Sequence, residues 1–188
     1  MNQTAKLTET PLITPHPPQG EETRVETILG AIQEHIGFIP DGLKLYSFSP
    51  PLLESFVGNI SYFNGETNIP PSLTAMIRYL VSAKADCTFC IDMNEGFLAN
   101  MGIDLKAVRA ARTNPDLAPF SDKEKSLLNL SLKAVDSPLA VGEQDLQEVR
   151  QHGWSDRDIF DAVVQANNNR AFNNILRTFN IEHQGVYS

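Results

Sequence analysis

Cys87 and Cys90 are the only cysteines in the chain, and they stand in one Cys-x-x-Cys motif, Cys87-Thr88-Phe89-Cys90. Two sulfurs at this spacing can form and break a disulfide with little backbone movement. Downstream, Ile91, Met93, Phe97, Leu98 and Met101 recur at helical spacing and stop at Gly102. The spacing therefore predicts the motif on the first turn of a helix, where free N–H groups and the positive end of the dipole stabilise a thiolate. On that helix positions 87, 90, 91, 94 and 98 share one face, which puts Asn94 one turn beyond Cys90. Thiol reduction of a hydroperoxide takes an attacking thiolate, an acid that protonates the leaving oxygen, and a second thiol that closes the disulfide. The pair supplies the first and third of these. Two plainer readings stand beside this one, burial as small apolar residues and metal ligation. A zinc site needs two further ligands, and His16, His35, His152 and His183 show no paired spacing.

The elements that must position the sulfurs read as helices throughout. Thr23 to His35 carries Val25, Ile28, Leu29 and Ile32 on one face, and Asp41 to Ser47 forms a short helical turn after Pro40. Ser49 caps a segment with Pro50 at its first position, followed by Leu52, Leu53, Phe56, Val57 and Ile60. Ser72 to Lys84, behind Pro70 and Pro71, carries Leu73, Met76, Ile77, Leu80 and Val81. After the cysteine helix, roughly 87 to 101, come Asp104 to Ala111, a capping box at Ser121 and Glu124, a short helix from Gly142 to His152, and a capped long helix after Ser155. That last helix carries Ile159, Phe160, Val163, Val164, Phe172, Ile175, Leu176 and Phe179 as its apolar residues. It also contains Asn167, Asn168, Asn169, Asn173 and Asn174, poor helix formers there, for which two readings stand side by side: several make buried hydrogen bonds or face a subunit contact, or the run is simply a solvated face. No run alternates apolar and polar residues between hairpin turns, so the fold class is all-α. Leu98 to Asp104 echoes Val149 to Ser155, each an apolar residue, three residues, Gly, an apolar residue and a cap. This is compatible with two related helix-hairpin units or with ordinary reuse of stops and caps.

The 188 residues suffice for one helical domain, residues 21–188, behind an extended arm, residues 1–20, rich in proline. A formal charge of −8 repels phosphate backbones, which argues against nucleic acid as a partner. No apolar run is long enough to span a membrane and no secretory signal opens the chain. One cysteine pair without a disulfide framework fits a reducing compartment, the cytoplasm. No Gly-rich phosphate loop follows a strand, and nothing indicates haem, flavin or nucleotide, so no cofactor is expected.

The stretch from Pro70 through Arg78-Tyr79-Leu80-Val81-Ser82-Ala83-Lys84-Ala85-Asp86 to Cys87 and Cys90 resembles the core of the alkylhydroperoxidase D-like proteins, of the carboxymuconolactone decarboxylase-like superfamily. The helix, the Val-Ser-Ala segment and the Cys-x-x-Cys opening the next helix carry the likeness, and the C-terminal pattern is similar to the longer "peroxidase-related" branch. The resemblance covers roughly residues 25 to 180. It implies an all-helical homo-oligomer, a trimer or hexamer, that reduces a small hydroperoxide with Cys90 attacking and Cys87 resolving, recharged by an unidentified thiol or protein reductant. From the residues alone the order stays open, since Cys87 lies nearer the positive helix end. The family pattern places a Glu twelve residues before the first Cys and a His four after the second; this chain has Ala75 and Asn94. Where some members carry a His before the second Cys, it has Phe89. Asn94 donates hydrogen bonds but does not titrate usefully. Tyr79, one turn after Ala75, is the substitute expected to reach the same pocket, while Asp86, Asp92 and Glu95 near the sulfurs would raise a thiol pKa. Arg78 and Lys84 would favour a thiolate. The readings are thus a thiol-dependent hydroperoxide reductase using Cys90, Cys87, Asn94 and Tyr79, or a family member without peroxidase chemistry that binds a small molecule or partner and senses redox state. A lactone decarboxylase, which does not depend on a cysteine pair, fits less well.

Overall fold

A computed structural model describes residues 10–181; residues 1–9 of the arm and the segment 182–188 lie outside the described residues. Nine α-helices and no strand form the described chain: α1 (Glu22–Ile36), α2 (Asp41–Lys44), α3 (Pro50–Gly65), α4 (Pro71–Lys84), α5 (Thr88–Asn100), α6 (Leu105–Ala110), α7 (Asp122–Asp136), α8 (Glu143–Gln151) and α9 (Asp156–Thr178). Short 3₁₀ turns at Leu45–Phe48, Pro115–Leu117 and Pro138–Ala140 connect some of them. The all-α expectation holds. The 3₁₀ turns at 115 and 138 open on proline, whose fixed φ starts a turn without needing an N–H donor.

Helix α4 is the centre. Nine of its residues, from Leu73 to Ser82, are buried, and it packs on α5, α7 and α9. A continuous core of Leu73, Met76, Ile77, Leu80, Leu98, Leu127, Leu128 and Ala166 joins these elements. Helices α4 and α9 run parallel in a fixed register. Arg78 meets Asn169, Ser82 meets Asn173 and Asp86 meets Arg177, each pair 91 residues apart. Both helices step by four residues between these pairs, one helical turn each, which keeps the contacting side chains on one seam.

The expected caps form at Ser121–Glu124 and Ser155–Asp158, both reciprocal capping boxes. Ser49 takes the extended N-cap backbone, but its hydroxyl makes no capping bond. Pro50 at the first helical position already removes one of the N–H groups a cap would satisfy. The two echoing connections share one geometry. Gly102 (φ 75°) and Gly153 (φ 87°) are left-handed. The N–H of Ile103 returns to Leu98 and that of Trp154 to Val149, the Schellman stop. Each is followed by a cap, Asp104 or Ser155.

Two apolar stripes read from the sequence are only partly buried. On α3, Leu53 and Phe63 enter the core, whereas Leu52 stays 60% exposed. On α9, Phe160 is 66% exposed. Period alone marks an apolar face without saying whether a neighbour covers it. The described part of the arm lies back on its own chain. Leu12 N–H bonds the Phe179 carbonyl at 3.0 Å, and Ile13 packs on the cluster that holds the cysteines.

Candidate functional site

Residues 85–87 turn the chain from α4 into α5. Asp86 adopts a φ of 54°, its N–H bonds the Ala83 carbonyl at 3.2 Å, and the Cys87 N–H bonds the Ser82 carbonyl at 3.1 Å. This is again a Schellman stop, here with Asp at the left-handed position, one of the few residues with a side chain that tolerates it. Arg177 fastens the turn from α9, its Nη1 donating to the Asp86 carbonyl at 2.5 Å and lying 3.5 Å from the Asp86 carboxylate. The stop delivers Cys87 to the N-cap of α5 and Cys90 to its third residue.

Both thiols are free, and they are 1% and 3% exposed. They share one apolar cluster with Leu45, Phe89, Leu176 and Ile181, and Tyr46, Met93 and Phe172 pack against it. Gly42 of α2 comes close to the same cluster; a Cβ there would stand 2.8 Å from the Phe172 ring and 3.2 Å from Phe89. The sulfurs are therefore adjacent and under a tightly packed cover. The thiol of Cys90 donates to the sulfur of Cys87, which pulls the Cys87 pKa down against the opposing effect of burial. The Cys90 backbone N–H, the Asn173 amide and the charge of Arg177 act in the same direction. Cys87 makes no capping bond of ordinary geometry, so the helix end acts on it through these facing groups. Cys90 moves the opposite way. Donating its proton to Cys87, being buried and standing beside a developing thiolate push its pKa well up, only partly offset by Asn173 and Ser82.

Asn173 is fully buried. Its Nδ2 donates to Ser82 Oγ at 3.1 Å, and its Oδ1 accepts from Asn169 Nδ2 at 3.2 Å. Asn169 Nδ2 also reaches Ser82 Oγ at 3.0 Å and the Arg78 carbonyl at 3.1 Å, and Ser82 Oγ donates to that carbonyl at 2.6 Å. Of the asparagines in the run, Asn169 and Asn173 make the buried bonds, while Asn167, Asn168 and Asn174 are exposed. The asparagine run signalled this network in the sequence. The pairing with Ser82 was not legible there, because it depends on the register of two helices 91 residues apart.

The expected site residues separate into two groups. Asn94 is buried one turn after Cys90. Its Nδ2 donates to the Cys90 carbonyl at 2.7 Å and its Oδ1 accepts from Arg78 Nε at 2.9 Å. Burial lowers the Arg78 pKa to about 10, against the pull of Cys90, and the guanidinium lies over the Phe97 ring. The hydroxyl of Tyr79 turns to other partners. It donates to Glu95 Oε2 at 2.9 Å and accepts from Arg112 Nε at 2.6 Å, while Arg109 and Arg112 both hold Glu95. Burial and the bond to Glu95 push its phenol up to about 12. Lys84 pairs with Asp136.

No protein-family model matches this sequence, and no curated protein matches it. Solved structures do. A peroxidase-related protein from Silicibacter sp. TM1040 superposes with a TM-score of 0.86 at 20% identity, over 98% of this chain and 97% of that one. An alkylhydroperoxidase AhpD core, a peroxidase-related protein from Ralstonia eutropha JMP134, gives 0.82 at 18% identity over 95% and 96%. The chain has the alkylhydroperoxidase D-like fold. The debrominase Bmp8, solved in complex with 2,3,4-tribromopyrrole, is similar at a TM-score of 0.65 and 19% identity, over 93% of this chain and 89% of that one.

Within this alkylhydroperoxidase D-like fold, α4 and α5 carry Ala75 and Asn94 where the resemblance implies a titrating Glu and His. Ala75 is fully buried. The polar groups next to the sulfurs come from elsewhere, Ser82 on α4 and Asn173 on α9.

Proposed function

We propose that the protein is a thiol-dependent hydroperoxide reductase whose Cys87–Cys90 pair cycles between dithiol and disulfide. The observation that carries this reading is the pair itself: two free, buried thiols side by side at the N-terminus of α5. Atoms balance as two thiols and one hydroperoxide giving a disulfide, an alcohol and water. An external thiol or a protein dithiol returns the pair to the reduced state. The working unit is a homo-oligomer, a trimer or hexamer, in keeping with the resemblance. Peroxide consumption in the presence of a dithiol reductant tests the reading, beside Cys87→Ser and Cys90→Ser. Loss of turnover in both variants is expected; wild-type rates in either would remove it.

A second reading draws on the debrominase fold neighbour and on the residues at 75 and 94. In it the pair reduces an electrophile other than a peroxide, or senses redox state, without a titrating relay. Disulfide formation driven by a brominated aromatic but not by peroxide would favour it.

A further inference from the structure

Resting on the reductase reading, we propose that Arg78 anchors a carboxylate-binding subsite between α4, α5 and α9, and that the hydroperoxide taken by the pair is an organic one whose apolar body ends in a carboxylate. Arg78 Nε donates to Asn94 Oδ1 at 2.9 Å, and its guanidinium carbon lies 5.9 Å from the centre of the Phe97 ring. Among the described residues, neither Nη has a hydrogen-bond acceptor and no carboxylate lies within ion-pair distance of Arg78. Arg109 and Arg112, by contrast, share Glu95. Taking a cation out of water is costly unless an anion or further acceptors compensate. An anion therefore gains most where a sheltered guanidinium still has two free N–H₂ groups. In a chain of formal charge −8, such a spot is not a by-product of a basic surface.

The seam between α4 and α9 supplies the remaining groups. On the cysteine side of Arg78 it is internally satisfied, with Asn169 and Asn173 both donating to Ser82 Oγ. One turn the other way, the same 91-residue register sets Thr74 opposite Gln165. Both are buried, at 2% and 6% exposure, and Thr74 Oγ1 has no hydrogen-bond partner. The Gln165 side chain makes no hydrogen bond among the described residues either. A long helical side chain runs back over the preceding turn, which carries the guanidinium toward Thr74. A fork of N–H groups, a hydroxyl and an amide NH₂ all have protons to donate. A carboxylate only accepts, and it takes two parallel bonds from a guanidinium. Its single charge matches the single cation, whereas phosphate brings more. On the other side of Asn94 the sulfurs lie among Leu45, Phe89 and Leu176, with Phe172 packed on them. The substrate chemistry that fits both ends is an apolar body with one anionic terminus.

The test adds 4-isopropylbenzoate, 4-isopropylbenzamide or inorganic phosphate to the reduced full-length protein and follows melting temperature and calorimetric binding. The benzoate is expected to bind and raise the melting temperature, and the uncharged amide and phosphate are not. Arg78→Lys retains part of the effect and Arg78→Gln loses it. Gln165→Met weakens benzoate binding without lowering the melting temperature of the unliganded protein, which a merely structural glutamine would do. In turnover, cumene hydroperoxide carrying a para-carboxylate is expected to show a KM about tenfold below that of cumene hydroperoxide itself, with kcat little changed. Equal responses of the wild type to benzoate and amide overturn the proposal whether or not the variants fold, as does phosphate matching the benzoate. So does a benzoate preference that survives in folded Arg78→Gln. Equal KM values for the two hydroperoxides overturn the substrate assignment. If neither hydroperoxide oxidises the pair while benzoate still binds through Arg78, the reductase reading falls and the carboxylate subsite stands.

Discussion

Asn94→Ala removes two bonds at once, at 2.7 and 2.9 Å; the Cys90 carbonyl keeps its place in the backbone ladder of α5, but Arg78 Nε loses its acceptor. Stranding a buried polar group of this kind costs about 1–3 kcal/mol. Denaturant unfolding should therefore find the variant less stable by at least about 1 kcal/mol; a neutral result would mean that Asn94 is not the clamp described above. Tyr79 gives a pH signature. Its phenol is held neutral up to about 12, against about 10 for an ordinary tyrosine. The stability from keeping it protonated is present below about pH 10 and lost as pH rises toward 12. Wild type should lose stability across that interval relative to Tyr79→Phe, and parallel curves would contradict the assignment. At this scale the sequence revealed the sulfurs, the missing titrating groups at 75 and 94, and an asparagine run with unpaired needs. It could not reveal that Tyr79 turns to Glu95 and Arg112. Neighbouring residues on α4 point to different sides, and which side holds which partner is decided by packing.

The turn between α4 and α5 does at the level of elements what the sulfurs need. Asp86 in the left-handed conformation aims Cys87 at the start of α5. Asp86→Gly should stabilise the protein by up to about 1 kcal/mol, since glycine enters that region without the usual penalty. A clear fall in melting temperature would show that the Asp86 carboxylate matters more than its backbone. Gly42→Ala should act oppositely, because the added methyl meets the Phe172 ring at 2.8 Å. Overpacking of this kind costs about 1–3 kcal/mol, and the cover over the cysteines should loosen with it, read as faster thiol labelling. Helix positions, caps and glycine stops were legible because each is written within a few residues. The parallel register of α4 and α9 was not, and it is the register that brings Asn173 to Ser82.

For the molecule as a whole, access is the decisive quantity. Both sulfurs are almost wholly covered, and the arm contributes Ile13 to that cover. Ile13→Asp should speed thiol labelling without altering which cysteine is labelled first; an unchanged rate would show that substrates enter elsewhere. Among the described residues no helix is long and apolar enough to cross a membrane. Leu52 on α3 and Phe160 on α9 leave apolar side chains at the surface. The account stands or falls on one measurement, the thiol state of the reduced protein after a single equivalent of hydroperoxide. It predicts a Cys87–Cys90 disulfide, with loss of two hydrogens from the intact mass, restored by a dithiol. Two thiols still free in the folded protein after that exposure would contradict it.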